Sequence, residues 1–240
     1  MTALLLFAAT AAAHQPAFSA DHATPDVAYE VPDEDLSIVL YQEISCEVPR
    51  VWLSYDVEPG YDLWLQLGVP VIDRLVDYRP SIAVLGAGLP AVELPFEVPE
   101  GLGGVIFDTR DAEVGSFYEP FTATESWVVF EEEVTIPDGG EVYVVAWHPE
   151  GQTGKLWVAS GTVEDFSDVD WDEAASWGEL VNDFHETGVY SDPPAVVETT
   201  CEAESSPDDP SGGCAVMGTG ASGWAVLGAL GLLVRRRHRS

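Results

Sequence analysis

The chain has 240 residues and a formal net charge of −33, with 42 acidic residues against nine basic ones. A surface so charged repels phosphate backbones and argues against any nucleic-acid partner. With 46% hydrophobic residues the chain is too apolar to be a disordered acidic polymer. A lysine-poor acidic shell suits a salty medium, though a generic exported protein carries one equally well.

Residues 1–13, MTALLLFAATAAA, are apolar and too short to span a bilayer. They end in Ala11-Ala12-Ala13, a small-residue run suited to signal peptidase, and predict a signal peptide even without a positive n-region. Cleavage there makes His14 the first residue of the mature chain. Its α-amine and imidazole can chelate copper, and a second imidazole (His22, His148 or His185) would complete a set of nitrogen ligands suited to Cu(II). The plain alternative is that His14 merely opens an extended leader over 14–32.

Removing both ends leaves roughly 175 residues, enough for one domain with a sizeable core. Short β-rich runs punctuated by Pro and Gly predict strands near 37–44, 50–57, 61–68, 81–86, 104–108, 127–136, 141–148 and 155–161. Turns fall at Glu58-Pro59-Gly60, Pro137-Asp138-Gly139-Gly140 and the tract 149–154. The spacing predicts an all-β fold over 33–187: an antiparallel, jelly-roll-like β-sandwich with one C-terminal helix packed on it.

Runs 50–57 and 61–68 read as a hairpin. Val51, Leu53, Tyr55 and Val57 share one face and Trp52, Ser54 and Asp56 the other; in the partner, Leu63, Leu65 and Leu67 alternate with Asp62, Trp64 and Gln66. If Pro59 centres a three-residue loop, Ser54 opposes Trp64 and Trp52 lies diagonally from it. Two indoles beside Asp56 and Gln66 would then form a platform for stacking a sugar. The alternative is that the helix or the leader covers them as a second small core.

Trp171, Ala174, Trp177, Val181 and Phe184 recur at three- and four-residue steps, predicting a helix over 171–186 lying on the sandwich. Asp168 or Asp170 would cap it. The acids Asp168, Asp170, Asp172 and Glu179 imitate a calcium loop, but Glu173 stands where a glycine is needed, and they fit a helix N-terminus better. Gly86-x-Gly88-x-x-Ala91 resembles a dinucleotide fingerprint, yet Pro90, Pro95 and Pro99 follow instead of a helix, so it reads as a turn. No Gly-x-Ser-x-Gly elbow and no His-Glu-x-x-His occurs.

Beyond 188 the chain is a Pro-, Ser- and acid-rich linker to 213, followed by Cys214. Residues 215–234 are twenty positions without a charge, long enough to cross a bilayer as a helix. Arg235, Arg236, Arg237 and Arg239 follow and would stay cytoplasmic, leaving the domain outside. The ordering of spacer, Gly213-Cys214, short apolar helix and arginine cluster resembles the myxobacterial C-terminal sorting signal MYXO-CTERM over residues 211–240. That resemblance implies processing at Cys214, removal of the helix by a sorting protease, and a product anchored at the cell surface. A plain tail anchor with an incidental cysteine is the alternative. The segment "VYVVAWHPEGQTGKLWVASG" resembles the pre-peptidase C-terminal type of β-sandwich module.

If Cys214 is reserved for anchoring, Cys46 and Cys201 remain as an even pair for a disulfide in an oxidising compartment. The other possibility is a buried Cys46 and a free Cys201. Taken together, the sequence predicts an exported, membrane-anchored β-sandwich that is a non-enzymatic binding or envelope-structural module. It would hold a glycan or an envelope protein through Trp52, Trp64, Asp56 and Gln66 or through the loop 86–100. The competing expectation is a copper protein or metalloenzyme using His14 and His22.

Overall fold

A computed structural model describes residues 14–19, 21–195 and 199–201. The predicted signal peptide, Cys214, the predicted span and the arginine cluster lie outside these described residues.

Alternating apolar and polar side chains bounded by Pro and Gly suit half-buried strands. Eleven strands form among the described residues: β1 (Gln15–Phe18), β2 (Tyr29–Glu30), β3 (Ile38–Ile44), β4 (Arg50–Val57), β5 (Tyr61–Pro70), β6 (Ser81–Gly86), β7 (Gly103–Phe107), β8 (Gly115–Glu119), β9 (Thr124–Ile136), β10 (Gly140–Trp147) and β11 (Gly154–Ser160). Two short helices follow, α1 (Trp171–Ala174) and α2 (Trp177–Phe184). The strands make a six-stranded sheet, β1-β3-β11-β5-β9-β8, and a five-stranded sheet, β2-β4-β10-β6-β7. Their inner faces meet in one apolar core that includes Leu40, Leu53, Leu63, Leu65, Leu67, Ile82, Val144 and Leu156, all fully buried. This is a β-sandwich, and each such leucine contributes about 1.5–3 kcal/mol through the surface it removes from water.

Two expectations about the strands need correction. The leader is part of the domain. Its β1 pairs with β3 and its β2 with β4, both in parallel, so it runs from the edge of one sheet to the edge of the other. The hairpin of 50–57 with 61–68 does not exist. β4 pairs with β10 over eight residues in the five-stranded sheet, while β5 pairs with β9 over ten in the six-stranded one. The Glu58-Pro59-Gly60 turn therefore carries the chain between layers. The expected face alternation holds, with Leu53 and Tyr55 in the central core and Trp52 on the outer face, but it is the same for two strands side by side and for two strands facing each other across a core.

Both outer faces are covered as well. On the five-stranded sheet the proline-rich loop 87–102 lays Val92, Leu94, Phe96 and Val98 over Trp52, Leu85, Tyr143 and Trp147. On the six-stranded sheet Val181 and Phe184 of α2 pack on Val39, Tyr41, Trp157 and Ala159.

A bulge shapes this second face. The β5–β9 register shifts between Leu67 and Gly68, so Val128 opposes Gly68 and Phe130 opposes Leu67. One extra residue reverses the alternation. Before the bulge Thr124 and Ser126 point outward; after it Phe130, Val134 and Ile136 point into the core. Gly68 has no side chain for a reason of space, since a Cβ there would overlap the indole of Trp157.

The expected single helix over 171–186 is interrupted between Ala174 and Trp177. Asp170 caps its start, its Oδ1 accepting the Asp172 N–H at 2.9 Å. Ala174 and Val181 are buried as the periodicity requires, but Trp171 is 68% exposed. At the far end Glu186, in the left-handed region at φ 55°, takes two hydrogen bonds from Arg74 and an ion pair from the buried Lys155. Cys46 and Cys201 form a disulfide, with Cα atoms 5.4 Å apart. It is reinforced where Thr199 and Cys201 hydrogen-bond to Thr153 and Gly151 on the turn between β10 and β11.

Candidate functional site

The residues proposed for a sugar platform are not brought together. Trp52 is 1% exposed, with Phe96 and Tyr143 edge-on at 5.6 and 5.9 Å. Trp64 lies on the other sheet, roughly parallel to the ring of His14 at 6.2 Å. Asp56 opposes Glu141 on β10, and Gln66 hydrogen-bonds Glu131 at 2.7 Å on β9. Between Trp52 and Trp64 stands the whole core, and loop 87–102 is used to bury Trp52.

His14 and His22, the pair expected to hold copper, are separated too, although His185 lines the same cavity as His14. His14 precedes β1 of the six-stranded sheet, and its Nδ1 is 2.6 Å from the Ser37 hydroxyl. His22 sits beside β4 of the five-stranded sheet, with its Nδ1 2.6 Å from the Val27 carbonyl. His148 accepts the backbone N–H groups of Glu150 and Gln152 and stacks on Tyr78, which makes it a turn-holding residue. Among the described residues no three His, Cys, Asp or Glu side chains are placed to hold a metal ion.

A concave, mostly apolar site lies elsewhere, on the outer face of the six-stranded sheet, where the helical layer leaves a cavity of about 250 Å³. Its floor is Val39 and Tyr41 of β3, Trp157 of β11, and Thr124 and Ser126 of β9. Phe117 and Glu119 of β8 form one wall, together with Phe121 and Thr122 of the following turn. Trp171, Ala174, Trp177, Val181 and His185 roof it, and His14, Pro16 and Phe166 close the remaining side. Most of this lining is apolar. The rim is unusual because Phe121 is 75% exposed, while Trp171 is nearly as open. Large aromatic rings left in water beside a cavity are a common mark of a binding site.

A hydrogen-bonded chain joins the floor to the roof. The Nδ1 of His185 lies 2.8 Å from the Val181 carbonyl and must donate to it, which leaves Nε2 to accept from the Ser126 hydroxyl at 3.1 Å. Trp157 Nε1 in turn donates to Ser126 Oγ at 3.0 Å. A serine facing an imidazole is the geometry of an activated nucleophile. Here burial lowers the His185 pKa to about 4, with the Lys155 charge acting in the same direction, so the ring is a feeble base at neutral pH. The serine oxygen also already accepts from an indole, and a backbone carbonyl stands where a triad has its carboxylate. The chain is a structural link between sheet and helix, with every member satisfied.

That depressed pKa makes stability pH-dependent. The unfolded state binds the His185 proton near 6.5 and the folded state near 4, so stability is complete above pH 6.5 and falls as pH drops through this window. The full loss is ~3 kcal/mol. His14 and His148 are also lowered by burial and act with the same sign, while Glu119, raised by burial, opposes them. Urea midpoints measured from pH 7 to 4.5 should fall steeply for the native chain and less steeply for His185→Gln; parallel slopes would contradict the assignment.

Sequence reasoning missed β8 and with it Phe117 and Glu119, and placed nothing functional on Tyr41, Thr124, Ser126 or Trp157. One signal was available. Runs 38–41 and 156–159 are apolar at consecutive positions, as expected of strands covered on both faces. No family model matches this chain, and no curated protein matches it either.

Proposed function

We propose that this protein is an exported, surface-anchored binding module whose ligand site is the aromatic cavity beneath the helical layer. The observation that carries the reading is that cavity itself: apolar walls, a small hydrogen-bonding floor and exposed Phe121 and Trp171 at its mouth. Such composition suits a small organic molecule with an apolar body and few polar groups. The disulfide supports export, since such bonds persist in oxidising compartments. The apolar N-terminal run, Cys214 and the span over 215–234 support anchoring with the domain outside the cell, by a retained helix or by a lipid after sorting-protease cleavage.

The test is a panel of small cationic, neutral and anionic organic molecules, read by melting temperature and tryptophan fluorescence. A ligand at a hundred times its Kd should raise Tm by ~5–10 °C for a chain of this size. Trp171→Ala, an exposed position, should leave the apoprotein's Tm nearly unchanged and weaken binding. If no member of the panel shifts either signal, the cavity is not a ligand site. Mass spectrometry of the native protein tests the address: an intact signal segment on a cytoplasmic product refutes it.

A further inference from the structure

Resting on that reading of the cavity, we infer that its ligand is a small organic cation, specifically a quaternary or methylated ammonium group held in an aromatic cage closed by Glu119. The rings of Tyr41, Phe117, Trp157, Trp171 and Trp177 come from five separate segments of chain and converge on one space. An aromatic face carries partial negative charge, and several faces around one point attract a cation too bulky and too weakly hydrated to prefer water.

Charge separates this reading from a plain apolar pocket. Among the described lining residues Glu119 is the sole carboxylate and there is no lysine or arginine; in the cleaved chain the α-ammonium of His14, a lining residue, adds one positive charge. The position of Glu119 is held by the following turn, since the Phe121 N–H donates to its Oε1 at 2.9 Å. Glu164 adds negative potential from outside, acting on both Glu119 and His14. Burial lowers the pKa of both lining imidazoles and so favours their neutral forms. Lys155, a buried cation whose charge is felt at His185, is paired with Glu186 at 2.9 Å. An anionic ligand would be opposed by Glu119 and by Glu164, and a neutral one would leave the half-buried Glu119 carboxylate with the Phe121 N–H as its hydrogen bond and no charge to offset it. A cation without N–H donors needs no hydrogen bond beyond what the cage supplies. The size agrees: about 250 Å³ sits just below the usual range of ~300–1,000 Å³ for small-molecule sites, room for a head group.

The experiment compares choline with its uncharged isostere 3,3-dimethyl-1-butanol on the full chain, by calorimetry and tryptophan quenching. Choline should bind saturably and the isostere at least about tenfold more weakly, the difference expected of desolvated cation–ring and carboxylate contacts. Glu119→Gln should bring choline down toward the isostere while keeping the Tm within a few degrees. Equal binding of the two molecules to the native chain, or unchanged choline binding by Glu119→Gln, overturns the cation inference and leaves the apolar-ligand reading standing. No binding of either, with no response to the wider panel, removes both.

Discussion

Reduction of the Cys46–Cys201 disulfide, or Cys46→Ser, should lower the unfolding free energy by ~3–5 kcal/mol. The bond closes a loop with a sequence separation of 155, which spans nearly the whole sandwich and its helical layer. Cross-linking so long a loop removes much of the conformational freedom of the unfolded chain, and in the chain-entropy account the effect grows with loop length. The folded state loses little directly, because Thr199 and Cys201 keep backbone hydrogen bonds to Thr153 and Gly151. The loss should therefore appear mostly as a shift of the urea midpoint, with the domain still folded at 25 °C. Denaturation with and without reductant measures it. Coincident curves, or native protein whose two cysteines alkylate freely, would show that the pair is not joined.

Glu186→Gln should cost about as much, ~3–5 kcal/mol, for a different reason. The Glu186 side chain is 7% exposed and faces the Arg74 guanidinium, held by bonds of 2.7 and 2.6 Å, and the Lys155 ammonium at 2.9 Å. Burial pushes its carboxyl pKa up, but hydrogen bonds from Arg74 and Lys155 outweigh this and hold it below the usual range. Removing the negative charge leaves Lys155, only 5% exposed, as an uncompensated cation beside the Phe184 carbonyl. A Lys155→Met, Glu186→Gln double variant should recover part of the loss, since an apolar replacement leaves no buried charge unpaired. The clamp also holds the C-terminal end of α2 against the sheet. Because α2 carries Val181 over the cavity, Glu186→Gln should weaken ligand binding in proportion to any loosening seen by hydrogen exchange near 177–185. A variant as stable as the native chain would mean that the three charges are solvated in solution.

How far the chain could be read in advance depended on whether a signal was local. Most strands of the sandwich were legible because the pattern of Val51, Leu53, Tyr55 and Val57 against Trp52, Ser54 and Asp56 needs only neighbouring residues. β8 was not, since Gly115–Glu119 has little alternation and is held in place by β9. The break in the helix at Ala175 and Ser176 carries no proline or glycine to announce it.

The site was the least legible part. It combines Tyr41, Phe117, Ser126, Trp157, Trp171 and His185, residues scattered over nearly 150 positions. Trp52 and Trp64, only twelve positions apart, were instead separated by the thickness of the core. Local order and face alternation follow from the residues in a strand, so the chain alone settles that this is a β-rich, acidic domain with two half-buried faces to cover. Which strand lies beside which depends on how all the faces close together. That closure put β4 and β5 in opposite layers, let one bulge beside Gly68 turn Ser126 outward, and gathered distant aromatic rings around a single carboxylate.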